Sequence, residues 1–174
     1  MTLLFELIAF LFVLQLVYPA VTMLLAQVFG KERLREPATT HNFDYACIIT
    51  AYRNAAIAEP LVASLLQQTH PNLVIYLVAD ECPELEFPFH DERFVLLRPE
   101  SPLRLKAKSI RYAVSQFKRP HDYIAIFDAD NLAHPQFLET INRYANAGHL
   151  CIQGQRTAKN LDTTYAALDS MGEH

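Results

Sequence analysis

Two aspartates one residue apart, Asp128 and Asp130, directly follow the apolar run Tyr123 to Phe127 (YIAIF). On extended chain, residues i and i+2 point the same way, so both carboxylates can face one ion. Hard oxygen donors of this kind suit Mg2+ or Mn2+, which commonly bridge carboxylates to phosphates. Asp-Ala-Asp-Asn is also acceptable turn chemistry and can cap a helix starting near Pro135. The buried run ahead of the pair aims it at a ligand edge, which favours the metal reading. His134, four residues past Asp130, is either a further ligand or a structural histidine at a helix start. Asp80 closes a second apolar run. Its carboxylate can accept a ring N–H from a base, or it opens a surface turn into Glu81-Cys82-Pro83. Between Arg98 and Arg119 stand seven of the fifteen basic residues and a single acid, Glu100. Such a local positive field suits a diphosphate or an acidic membrane surface, and otherwise makes a solvated helix face. Lys106 and Lys108 open a helix, where free N–H groups already favour anions, and are the best phosphate candidates.

Strands and helices must bring these residues together. Apolar, partly β-branched runs predict strands at Tyr45 to Thr50, Leu73 to Ala79, Phe94 to Leu97, Tyr123 to Phe127 and Leu150 to Gln153. Helical spacing marks Glu59 to Gln68, Lys106 to Phe117, Pro135 to Ala147, and the chain from Thr163 onward. Buried strands alternating with amphipathic helices imply an α/β fold, a mostly parallel sheet with helices on both faces. Ligands of such sheets bind outside the carboxyl ends of the strands. The residues just after the strands are therefore the candidates. The first strand is followed by Thr50-Ala51-Tyr52-Arg53-Asn54, with no G-x-G-x-x-G dinucleotide fingerprint.

The chain has 174 residues, 51% apolar and 20% charged, which excludes disorder. A net charge of −4 argues against a general nucleic-acid binder. Apolar residues concentrate at the start: Leu7 to Gly30 carries no charge, and as a helix of ~1.5 Å per residue it spans a bilayer core of ~30 Å. It is longer than a signal-peptide core and no basic residue precedes it, so residues 1–30 read as a retained transmembrane anchor. Pro19, lacking an N–H, is expected to kink it. Lys31, Arg33 and Arg35 follow the span, which by the positive-inside bias places the remainder in the cytoplasm. Residues 31–44 read as a linker and 45–174 as the ligand-binding domain. Cys47, Cys82 and Cys151, odd in number and far apart, read as reduced, buried thiols.

The ordered motifs resemble the family 2 glycosyltransferases of GT-A fold. Cys47 to Asn54 (CIITAYRN) is similar to that family's opening strand and loop, V-I-I-P-A-Y-N-E. Ser64 to Asn72 resembles the helix and turn before the second strand, and Val78-Ala79-Asp80 the segment whose Asp contacts the nucleobase. Lys106 to Ala113 resembles K-x-x-A-L-N-x-A, Tyr123 to Asp130 the D-x-D strand, and Cys151 to Gly154 the later V-Q-G strand. The resemblance implies inverting transfer of a sugar from a nucleotide-diphosphate-sugar, a UDP-sugar being favoured, to a glycan or lipid-linked acceptor at the cytoplasmic membrane face. By it, Thr50, Ala51, Tyr52 and Asp80 hold the nucleoside, and Lys106 or Lys108 contacts phosphate or sugar. Asp128 and Asp130 bind the diphosphate through Mg2+ or Mn2+, with Asp130 in direct contact with the metal. An anchor before a cytosolic catalytic domain is similar to cellulose and poly-N-acetylglucosamine synthases.

Thr50 stands where the family has Pro, Arg53-Asn54 where it has Asn-Glu, and Arg111 where it has Asn. The family's acceptor-activating Asp lies well beyond D-x-D, often in an E-D pair. Asp162, Asp169 and Glu173 have no such setting, so the general base is unknown. The chain thus reads as the N-terminal part of a longer enzyme, expected to bind donor with little or no transfer. The alternative is a catalytically inactive, membrane-anchored nucleotide-sugar-binding module. A haloacid-dehalogenase-like phosphatase fits poorly, because its D-x-D ends an early strand and precedes Thr or Val, where Leu132 stands here.

Overall fold

The computed structural model describes residues 2–29, 40–83 and 86–155. The chain divides into two units, Met1–Arg35 and Glu36–His174. The described residues of the first form a helix, α1 (Thr2–Phe29), which continues through Pro19. Within it Leu3–Val28 is long and apolar enough to cross a membrane. The Thr22 hydroxyl donates to the carbonyls of Tyr18 and Pro19, a local bond of the kind Thr makes in apolar helices.

The described residues of the second unit hold four parallel strands, β1 (Tyr45–Tyr52), β2 (Leu73–Asp80), β3 (Phe94–Leu97) and β4 (Tyr123–Asp128). Their spatial order is β3-β2-β1-β4. The helices are α2 (Glu59–Leu66), α3 (Lys106–Ser115) and α4 (Phe137–Asn146), with a 3-10 turn at Ala56–Ala58 ahead of α2. Side chains alternate across a strand, and here both alternants are apolar. Tyr45, Cys47 and Ile49 of β1 and Leu73, Ile75 and Leu77 of β2 meet Leu61, Val62 and Leu65 of α2 and Leu138 of α4 on one face. Ala46, Ile48, Val74, Tyr76 and Val78 meet Ile110 and Ala113 of α3 on the other. Burying one such Leu or Ile stabilises the fold by roughly 1.5–3 kcal/mol. Among the described residues, four strands and three helices therefore match the expected fold class, with α2 and α4 on one face and α3 on the other.

The chain reverses its lateral direction between β1 and β4. From β1 it steps through α2 to β2 and on to β3. It then returns over β2 and β1 through α3 to reach β4. The crevice at such a reversal, outside the carboxyl ends, is where ligands of these sheets bind.

The fifth strand expected at Leu150 to Gln153 does not form. Leu150 is 89% exposed. Of these four residues only Ile152 is β-branched, so the strand preference of the segment is weak. Side-chain contacts hold the segment instead: the Tyr123 hydroxyl donates to the His149 carbonyl, and Gly154 lies against the Phe137 ring so closely that a Cβ would come within 2.7 Å of it. The same outcome corrects the thiols. Cys47 is buried, but Cys82 is half-buried and Cys151, on this unpaired segment, is exposed, all three free.

Residues 41–44 are bonded into the fold. Asn142 of α4 accepts the Phe43 N–H and donates to the His41 carbonyl, and the Asp44 carbonyl accepts the N–H groups of Asp122 and Tyr123. Residues 31–39 of the expected 31–44 linker, Lys31, Arg33 and Arg35 among them, and the helix expected from Thr163 lie outside the described residues.

Candidate functional site

The sheet register sets the carboxyl edge. Thr50 is the Cα partner of Asp128 across the β1–β4 crevice, and Tyr52 is the partner of Asp80 across β1–β2. Thr50, Ala51, Tyr52, Asp80 and Asp128 thus share one edge, as the sequence predicts.

Lys106 joins them from α3. Its side chain forms an ion pair with an Asp128 carboxylate oxygen. Both side chains are close to half exposed, so solvent screens the pair to about 0–1 kcal/mol. A pair that weak can be remade on a ligand at small cost. Lys108, roughly 200° further round the helix at ~100° per residue, is exposed on the outer face. Of the two lysines it is Lys106 that meets Asp128.

The D-x-D pair has a different geometry from the extended one expected. β4 ends at Asp128, and the next residues turn, with the Asn131 N–H donating to the Asp128 carbonyl at 3.1 Å. Alternation along a strand therefore does not align the two carboxylates, and Asp130 is exposed on the turn. Neither aspartate caps α4. Gln68 does so from the end of α2: its Oε1 accepts the Leu138 N–H at 2.9 Å while its Nε2 donates to the His134 carbonyl at 2.7 Å. His134 itself is structural, its Nδ1 accepting the Gln136 N–H at 3.2 Å. Among the described residues no three His, Cys, Asp or Glu side chains are placed to share a metal. A divalent ion here would have Asp128 and Asp130 as protein ligands, and Mg2+-type sites are commonly completed by waters and substrate phosphates. The donor chemistry fits, since both are hard oxygens and Asp128 already holds a cation, the Lys106 ammonium.

Asp80 is only 2% exposed. Its two carboxylate oxygens accept the backbone N–H groups of Leu103, at 2.9 Å, and Arg104, at 2.7 Å. A buried carboxylate needs such partners, and here they tie the turn ahead of α3 to the end of β2. Base recognition by Asp80 would need one of its remaining lone pairs.

Sequence reasoning did not join Glu81 and Arg104 to this edge. Glu81 accepts from the Tyr52 hydroxyl at 2.8 Å and from Arg104 through Nε, 3.0 Å, and Nη2, 2.9 Å. These bonds hold the Glu81 carboxyl below the usual glutamate range. The Arg53 guanidinium lies 4.8 Å from the Tyr52 ring centroid, a cation–π contact. Among the described residues, Arg53, Glu81 and Arg104 are also the non-glycine residues with positive φ, at 62°, 51° and 52°. Each costs on the order of 1–3 kcal/mol, and such residues cluster at functional sites. None of these turns has Gly, and Asn54 beside Arg53 is the one customary turn residue; the other signals in the sequence are adjacency: Glu81 follows Asp80, and Arg104 stands two residues before Lys106.

The rest of the basic tract has other duties. Arg98 donates to the carbonyls of Cys82 and Pro83, and Arg119 pairs with Asp44 at 2.6 Å near the opposite, amino edge of the sheet.

Solved proteins share the fold. The mannosyltransferase PcManGT from Pyrobaculum calidifontis, solved with GDP-Man and Mn2+, superposes with a TM-score of 0.55 at 18% identity, over 74% of this chain and 39% of that one. S. aureus TarS superposes with a TM-score of 0.52 at 14% identity, over 67% of this chain and 24% of that one. At such identities the likeness is one of fold, and this chain spans well under half of either relative. No curated protein sequence matches it. The sequence pattern of the family described as "Glycosyltransferase like family 2" matches residues 41–173, which takes in the whole sheet and its carboxyl edge. The chain belongs to that family.

Proposed function

We propose that this chain carries the donor-binding part of an inverting glycosyltransferase that uses a nucleotide-diphosphate-sugar and Mg2+ or Mn2+. The observation that carries the reading is the crevice between β1 and β4, where Thr50 and Asp128 face each other across the register and Lys106 sits on Asp128. The nucleoside lies over Thr50, Ala51 and Tyr52, near Asp80. The diphosphate lies toward Asp128 and Asp130. When phosphate arrives, Lys106 exchanges a screened carboxylate contact for the new anion, which the N-terminus of α3 also favours. A bound divalent ion supplies charge neutralisation for the leaving diphosphate. Asp128 and Asp130 hold it, and the edge orients the donor so that binding energy is spent on alignment. Family membership and a solved neighbour that binds GDP-Man with Mn2+ support this reading. A UDP-sugar donor, a glycan or lipid-linked acceptor, anchoring by α1, and placement of residues 31 onward in the cytoplasm complete the proposal.

The test is titration of the full chain, in detergent micelles, with uridine and guanosine diphosphates in Mn2+ or in chelator. Binding that needs the metal and weakens at least about tenfold in Asp130→Ala is expected, the scale of loss usual when metal-site residues are changed. Equal affinity with chelator present, or in the variant, would sink the metal site.

A further inference from the structure

Two consecutive residues at the end of β2 grip the turn that precedes α3, and they grip it differently. Asp80 is buried and holds the backbone of Leu103 and Arg104. Glu81 is at the surface and holds the Arg104 side chain through two parallel N–H···O bonds, a geometry that fixes direction as well as distance. The same Glu81 oxygen that accepts Arg104 Nε also accepts the Tyr52 hydroxyl. One carboxylate therefore connects the end of β1, the end of β2 and the turn into α3. Each of the residues beside these bonds, Arg53, Glu81 and Arg104, is in the left-handed region, which L-residues leave unless something holds them there. Two residues past Arg104, Lys106 meets Asp128.

We propose that Glu81 is a positioning residue of the candidate donor site: by tying Tyr52 to Arg104 it sets the 103–106 turn and with it the place where Lys106 meets Asp128. Glu81 touches no reacting atom in this role. It acts on Lys106, on the diphosphate side, by fixing Arg104 and the turn against Tyr52. Asp80 alone cannot do this, because it holds only the backbone of the turn and leaves the Arg104 side chain, and the Tyr52 ring, without a shared partner. The inference rests on the donor-site reading above.

Glu81→Gln keeps the size and removes the charge, and Arg104→Gln removes the same tie from the other side. Uridine diphosphate and guanosine diphosphate, each with Mn2+, are titrated into the full chain in detergent micelles, with melting temperature followed in parallel. Glu81→Gln is expected to bind about tenfold more weakly than the parent, the scale typical of residues that orient a site's contacts from behind. In a Lys106→Gln background the same change is expected to cost less than about twofold, because the group it positions is gone, the non-additivity a double-mutant cycle reads. A merely structural role would lower the melting temperature and weaken binding equally in both backgrounds, which overturns the proposal. So does unchanged affinity in Glu81→Gln. If Glu81→Gln fails to fold, Arg104→Gln is read by the same criteria. A parent chain that binds neither nucleotide overturns the donor-site reading and this inference together, whereas a binding parent with an indifferent Glu81 overturns the inference alone.

Discussion

At the scale of single residues, chemistry here is set by how each charge is partnered. Lys106 and Asp128 form an exposed pair that a ligand can reopen. Asp80 is closed off by two amides, and Glu81 by a tyrosine and an arginine. Asp91 shows the linkage plainly. Arg93 holds its carboxyl below the usual range through side-chain and backbone hydrogen bonds. A lowered folded-state value contributes stability above the ordinary aspartate pKa of about 3.9, lost as pH falls through the folded value. Asp91→Asn is therefore expected to lower the melting temperature at pH 7, with the difference from the parent shrinking as pH falls through the folded value. The thiols make a second case. Burial raises the pKa of Cys47 and of Cys82, whereas Cys151 is exposed. Thiolate is the reactive form. In the native chain maleimide is expected to label Cys151 first, with all three labelled after unfolding; mass spectrometry of the modified peptides would show Cys47 reacting first if the burial were wrong.

At the scale of elements, α4 illustrates how a helix is ended by its surroundings. Its N-cap residue, Gln136, makes no side-chain cap, and Gln68 from the end of α2 supplies the acceptor for the Leu138 N–H. At the other end Gly148, with φ of 94°, donates to the Ala145 carbonyl while His149 donates to that of Tyr144. These are the two bonds of a Schellman cap, which wants glycine in the left-handed position. Gln68→Ala is expected to cost about 1–2 kcal/mol through the lost cap and the buried groups left unpaired. Gly148→Ala is expected to cost about 1 kcal/mol from backbone strain alone, since a Cβ there meets nothing within 4 Å. Thermal melting of the two variants and their double mutant tests this. Because the Gln68 cap also braces the 128–138 loop, it should weaken nucleotide binding more than the glycine change does.

At the scale of the whole chain, an apolar helix precedes an α/β unit whose carboxyl edge collects the charges. Leu3–Val28 is expected to anchor the protein, so that it pellets with membranes and resists alkaline extraction, while deletion of residues 1–30 moves it to the soluble fraction. A reporter fused after His174 is expected to be active only in the cytoplasm; activity on the other side would reverse the proposed orientation.

Much of this was legible in the amino-acid sequence. Strand and helix identity followed from runs such as YACIIT and LVIYLVA, because burial on both faces demands continuous apolar residues. The shared edge for Thr50, Asp80 and Asp128 followed too, since parallel strands bring their carboxyl ends together. Three things were decided only by tertiary structure. Leu150 to Gln153 stays unpaired because a strand needs an edge that accepts it, and periodicity says nothing about the neighbour. Lys106 rather than Lys108 meets Asp128 because helix phase against the sheet selects one of them. Glu81, Arg104 and Tyr52 join because their turns adopt left-handed backbone that no glycine announces. Local pattern determines which elements form; side-chain direction at their ends depends on packing between segments far apart in the chain.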